Sequence, residues 1–207
     1  MQRLILLDED YDLCSPPVDG KFCSCERIED LLADVSSHHM QLYPLYEKAA
    51  DNVVDNLCAI RCENFALSHF GVTVPEDELI RQSKKNGWLS EDGTPLHNIG
   101  RLCALYDLEV LFQFKCTLDT ISFALDDGFV VLAPIDGSEL FEDHTFRKQK
   151  DTEQGQHLNH VVIVDSLSES EVRIYDSATP HQIDTYTIET FEDAWADSGK
   201  CLICIKK

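Results

Sequence analysis

Three residues far apart in the chain are of types that can together break an amide bond. Cys58 stands in "ADNVVDNLCAIRCENFALSHFG" (residues 50–71), after a polar approach and before an apolar stripe. His160 opens the apolar run "HVVIVDS", and Asp176 ends the run "VRIYD". A cysteine is a useful nucleophile only as thiolate, and a free thiol has a pKa of about 8.5. The positive end of a helix and a neighbouring imidazolium both favour the thiolate. A carboxylate bonded to the imidazole orients it and stabilises its charged form. The chemistry open to such a set is acyl transfer through a thioester.

Each of these residues needs an element to hold it. A helix starting at Asn56 or Leu57, with Asp55 or Asn56 as cap, puts Cys58 in its first turn. Cys58, Cys62, Phe65, Ala66, His69 and Phe70 then follow helical spacing, and Gly71 stops the helix. "HVVIVDS" and "EVRIYDS" are strands joined by "SLSESE". A bulge-free hairpin centred near Ser168 makes His160 and Asp176 direct cross-strand neighbours, about 5 Å apart at Cβ. The same residues have plainer readings. Cys58 and Cys62 suit a helix core, His160 a sheet edge, and Asp176 the start of a turn. His157 is a second candidate base; Asn159 offers a polar contact without an assigned role.

The other elements are legible in outline. "ERIEDLLADVSSHHMQL" has helical spacing, and Pro44 restarts a short helix, "PLYEKAADNVV". "TVPEDELIRQSKKNG" reads as a helix with Pro75 and acidic residues in its first turn. "DGTPLHNIGRLCALYDL" reads as one helix capped by Thr94. From there strands dominate: "EVLFQF", "FVVLAPI", the hairpin, "QIDTYTI" and a final "CLICIK". Helices "TLDTISFALDDG" and "TIETFEDAWADSG" interrupt them, and residues 136–158 read as a long polar loop, placed as a lid would be. Residues 1–25 read as a strand or loop with a Pro-, Gly- and Cys-containing connection. Helices first and strands after indicate an α+β fold, a helical half on a mostly antiparallel β-sheet.

Composition narrows the function. With 207 residues, 43% apolar and 27% charged, the chain suits one compact domain, or a domain with a structured extension. The net charge of −21 argues against nucleic acid and against direct insertion into or binding at anionic membranes. No run approaches the roughly 20 apolar residues of a bilayer span, and "MQRLILLDED" lacks the flanks of a secretory signal. Nine cysteines, an odd number, suit reduced thiols, hence a cytoplasmic location or export without a recognisable Sec signal. Cys14, Cys23 and Cys25 with His38 or His39 match no standard zinc spacing, so no metal and no cofactor is expected. Cys201 and Cys204 lie three apart in a strand and point to opposite faces.

The order Cys, His, Asp on helix start, strand start and strand end is that of papain-like cysteine peptidases. "DNLCAIRCENFALSHFG" resembles the nucleophile helix of the bacteriocin-processing (double-glycine leader) peptidases and their stand-alone relatives, with Cys58, Ala59, Cys62 and Gly71 at matching positions. "DGTPLHNIGRLCALYDLEV", "FVVLAPID", "NHVVIVDSLSESEVRIYDSATP" and "TIETFEDAW" resemble that family's later segments, so the likeness spans about residues 50–206. It implies a papain-like fold with Cys58 as nucleophile, His160 as base and acid, and Asp176 as orienting carboxylate. The family's oxyanion-hole Gln falls at Asn52, one methylene shorter, and its usual Gly at Ala59; Asn56 is a fallback donor. The expectation is an N-terminal helical extension over 1–49 and a peptidase domain over 50–207, acting on a peptide or protein, with the acidic surface favouring a basic one. Acyl or peptidyl transfer on the same triad, or a catalytically degenerate peptide-binding module, are the alternatives. Oligomeric state is not legible.

Overall fold

The computed structural model describes residues 4–6, 56–91, 93–141, 158–177 and 182–207. Its centre is a seven-stranded sheet: β1 (Leu4–Leu6), β2 (Glu109–Gln113), β3 (Val130–Ile135), β4 (His160–Leu167), β5 (Glu171–Tyr175), β6 (Ile183–Thr187) and β7 (Leu202–Lys206). The spatial order is β1-β2-β7-β3-β4-β5-β6. Only β1 and β2 run parallel, with Leu4 beside Val110; the other pairs are antiparallel. The fold is thus α+β, as the order of helices and strands implies, and papain-like, as the resemblance implies. The expected helices over 26–54 lie outside the described residues, as do Cys14, Cys23, Cys25, His38 and His39.

Helices cover both faces of the sheet. On one side lie α1 (Cys58–His69), α2 (Glu76–Lys85) and α3 (Arg101–Leu105), whose Ile60, Leu67, Leu79 and Leu102 pack on Val110, Leu132, Val161 and Ile203. On the other lie α4 (Leu118–Asp126) and α6 (Ile188–Ala196), whose Ile121, Phe191 and Trp195 pack on Leu111, Val131, Val162 and Leu202. Alternate strand residues serve alternate layers, as a pleated strand demands. Cys201 and Cys204 accordingly fall in different layers. All six residues of β3 are buried, Pro134 among them. Proline cannot donate to a ladder, and β7 pairs with β3 only at Val130–Leu132, before Pro134 is reached.

Four local expectations need correction. The segment read as one helix from Thr94 is a 3₁₀ turn, Leu96–Asn98, followed by α3. Between them Gly100 sits at φ +90°, where a Cβ would meet Val110 Cγ1 at 2.6 Å. Close packing of this glycine on the sheet breaks the helix. Inside the segment read as a long loop, residues Gly137–Phe141 form a short helix, α5. The inward stripe of α1 is Ala59, Ile60, Cys62, Glu63, Ala66 and Leu67, while Phe65 and His69 are exposed. Apolar spacing misjudged that face because one inward residue is a glutamate. Finally, the β4–β5 hairpin carries a bulge between Val164 and Ser166, and its turn is the Ser168–Glu171 bond (Ser168 N–H to Glu171 O, 2.9 Å). Ile163 therefore pairs with Tyr175, and continuing that register sets Val162 across from Asp176. His160 and Asp176 are not directly opposed.

None of the described helices is long and apolar enough to cross a membrane.

Candidate active site

Cys58 is the first residue of α1. The cap is Leu57, not Asp55 or Asn56: Leu57 C=O accepts the first helical bond from Arg61 N–H at 3.0 Å, and no side chain caps the end. The first N–H groups of a helix have no partner within it, and the macrodipole makes that end positive. Cys58 is half-buried there, whereas the core begins with Ala59 and Ile60. The cysteine at the helix start is therefore accessible to a reactant, unlike Cys62 beneath it.

The imidazole reaches this thiol from the sheet. His160 is the first residue of β4, and its Nε2 lies 2.9 Å from Asp176 Oδ1. Asp176 follows the last residue of β5, and its side chain is 3% exposed. The contact runs diagonally across the hairpin, within reach of a long side chain. On its other side the imidazole is hydrogen-bonded to the Cys58 thiol. Burial works against the imidazolium, but the hydrogen bond to Asp176, the bond to Cys58 and both their charges outweigh it, so His160 is pushed up to about 10. The structure thus brings Cys58, His160 and Asp176 into one chain of contacts.

Cys62 braces that chain. One helical turn below Cys58, its thiol donates to Val161 C=O at 3.4 Å, the residue after His160. Burial, then the neighbouring Cys58, Asp176 and Glu63, pushes the Cys62 thiol well above its ordinary value. It is an inert sulfur that locks helix to hairpin. Spacing alone marked it as core, and nothing in the sequence revealed its bond to Val161.

Glu63 is the other residue that sequence reasoning missed. Fully buried in α1, its carboxylate accepts from Cys103 N–H at 3.1 Å and from the N–H groups of Gly100 and Leu102. Burial pushes it up to about 7, against the pull of those three backbone bonds. It ties α1 to the start of α3.

The expected oxyanion donor Asn52, like His157, lies outside the described residues. The fallback, Asn56, turns its amide to Glu91 C=O at 3.2 Å. Asn159 joins a polar network at the end of β3. Among the described residues, no group of His, Cys, Asp and Glu is arranged to hold a metal ion.

A solved structure with this architecture is described as a C39-like peptidase from Bacillus anthracis. It matches with a TM-score of 0.55 at 14% identity, over 76% of this chain and 92% of that one, a likeness of fold. No curated protein matches the chain. Residues 40–203 match the model of the Peptidase_C39 like family, a match that supports cysteine peptidase activity. The chain belongs to the Peptidase_C39 like family.

Proposed function

We propose that the protein is a cysteine peptidase that cleaves a peptide or protein amide bond through a Cys58–His160–Asp176 triad. The observation that carries this reading is the imidazole of His160, held by Asp176 on one side at 2.9 Å and bonded to the Cys58 thiol on the other. Such a group passes a proton between nucleophile and leaving group without leaving its place. Cys58 sulfur attacks the amide carbonyl carbon, and the electron pair of the C=O moves to oxygen. As the C–N bond breaks, His160 gives its proton to the departing amine, leaving a thioester. Water then attacks the thioester, His160 takes its proton, and the C–S bond breaks to release the acid and return the thiol.

The Cys58 backbone N–H, at the open end of α1, and the Asn52 amide are the donors we assign to the oxyanion. The resemblance of residues 50–71 to the double-glycine leader peptidases supports a peptide substrate, and the net charge of −21 favours a basic one. We assign the catalytic unit to residues 50–207 and an accessory role to 1–49.

The test is the rate of iodoacetamide labelling of Cys58, read on its own peptide by mass spectrometry, across pH and in His160→Ala. The expected result is labelling near neutral pH faster than that of a free thiol, falling about tenfold or more in the variant. Labelling no faster than a free thiol, or indifferent to the substitution, would leave a peptide-binding module in place of an enzyme.

A further inference from the structure

Asn159 precedes the site histidine, and both ends of its amide are engaged. Its Oδ1 accepts from Gly137 N–H at 2.8 Å, and its Nδ2 donates to Asp136 Oδ1 at 3.0 Å. The same Asp136 oxygen accepts from Ser138 N–H at 2.8 Å and from Ser138 Oγ–H at 2.6 Å. Asp136 N–H donates to Ala194 C=O in α6 at 2.9 Å, and Asn159 N–H to Ile135 C=O at 3.3 Å. A closed ring of hydrogen bonds thus joins the end of β3, the start of α5 and the residue before His160, and anchors them on α6. Asp136 is 2% exposed. A carboxylate buried to that degree needs hydrogen bonds, and Oδ1 here accepts three.

Gly137 completes the arrangement by what it lacks. A Cβ there would stand 3.0 Å from His160 Cβ, 3.4 Å from His160 Cγ and 3.2 Å from Asn159 Oδ1. Its backbone is not in the left-handed region, so the requirement is space. The bare Cα lies against the root of the imidazole. A turn that merely closed the chain would not need that approach. Because both amide atoms of Asn159 are used inside the ring, the side chain is also not presented to a reactant.

We infer that Asn159, Asp136 and Gly137 form a positioning device that fixes the imidazole of His160 between Cys58 and Asp176. The inference rests on the catalytic reading of His160 given above. The histidine is the first residue of its strand and must hold two hydrogen bonds at once. A rotation at its root loses both. Asn159 clamps the backbone on one side of that root, and Gly137 limits the space on the other. All three are positioning residues, since none touches the reacting atoms.

The experiment follows Cys58 alkylation across pH, the NMR titration of the His160 ring and the thermal midpoint, in Asn159→Ala, Gly137→Ala and the exchanged pair Asp136→Asn with Asn159→Asp. Asn159→Ala and Gly137→Ala are expected to slow the His160-dependent alkylation about tenfold or more, since displacements of an ångström carry costs of that order. Their pH profiles should move toward that of His160→Ala. The exchanged pair should recover most of the rate lost in Asn159→Asp alone. Gly137→Ala deletes no hydrogen-bonding group, so it decides the matter if Asn159→Ala fails to fold. A lowered midpoint with unchanged rate and ring titration would reduce the ring to a structural clip and overturn the inference. Should His160→Ala itself leave the alkylation rate unchanged, the catalytic reading falls first, and the positioning role with it.

Discussion

His160 Nε2 lies 2.9 Å from Asp176 Oδ1 although the register of the hairpin pairs neither residue with the other. The bulge between Val164 and Ser166 shifts the strands, and the imidazole spans the offset. The contact is therefore made by side-chain reach, beside the Cys62 thiol that bonds Val161 C=O at 3.4 Å. Asp176→Asn keeps the shape and removes the charge. The His160 ring, pushed up to about 10 in the wild type, should titrate lower in this variant. A loss of turnover of about 10²–10⁴ is expected on any amide the protein cleaves. Ring titration by NMR alongside single-turnover kinetics checks both, and an unmoved titration would mean that Asp176 does not set the charge on the imidazole.

The same imidazole ties stability to pH. Its folded value of about 10 exceeds the ordinary 6.5, so the folded state holds the proton more tightly than the unfolded chain. That stabilisation is complete below about 6.5 and is lost as pH rises through about 10. His160→Ala should consequently be less stable than wild type at mildly acidic pH, by a few kcal/mol, and the gap should close in strong base. Urea unfolding of both proteins at several pH values tests the trend; a gap that widens with pH would contradict it.

Gly100 is a sharper test of the fold that carries the site. It combines φ +90° with a Cβ position 2.6 Å from Val110 Cγ1 and 3.3 Å from Ile203 Cγ2. Gly100→Ala should cost roughly 2–4 kcal/mol, from left-handed strain together with overpacking against the sheet. The cost is read from the urea midpoint. A neutral outcome would mean that the 3₁₀ turn and α3 can merge into the single helix that the spacing from Thr94 suggests.

The strands were legible because runs such as "FVVLAPI" and "EVLFQF" carry β-branched and aromatic residues between turn signals. The helix carrying Cys58 was legible from its spacing and from Gly71, whose φ of +80° follows the helix end. What escaped has a common cause. The break at Gly100 comes from side chains on β2 and β7, the bulge near Asp165 from pairing with β5, and the inward turn of Glu63 from N–H groups on α3. Each is a tertiary demand on a residue whose own type indicates something else. Asn159 is the clearest instance: the partners that define it, Asp136 and Gly137, lie more than twenty residues earlier in the chain.

Glu63 yields the last prediction. Its carboxylate is buried beside the start of α3, and burial pushes it up to about 7 from an ordinary 4.5. The folded state therefore holds this proton more tightly than the unfolded chain does. The resulting stabilisation is complete below 4.5 and is lost as pH rises through about 7. Over that window the wild type should lose about 3 kcal/mol through this group. Glu63→Gln keeps an oxygen for the N–H groups of Gly100, Leu102 and Cys103 and has no charge to bury. It should match the wild type near pH 5, exceed it near pH 8, and show a flatter stability profile between. Glu63→Ala leaves those buried donors without their acceptor, at about 1–3 kcal/mol for each unsatisfied group, and should be destabilised at every pH. Urea unfolding of the three proteins separates the two effects. Parallel profiles for wild type and Glu63→Gln would show that the carboxylate ionises without penalty, and that the link between α1 and α3 is indifferent to its charge.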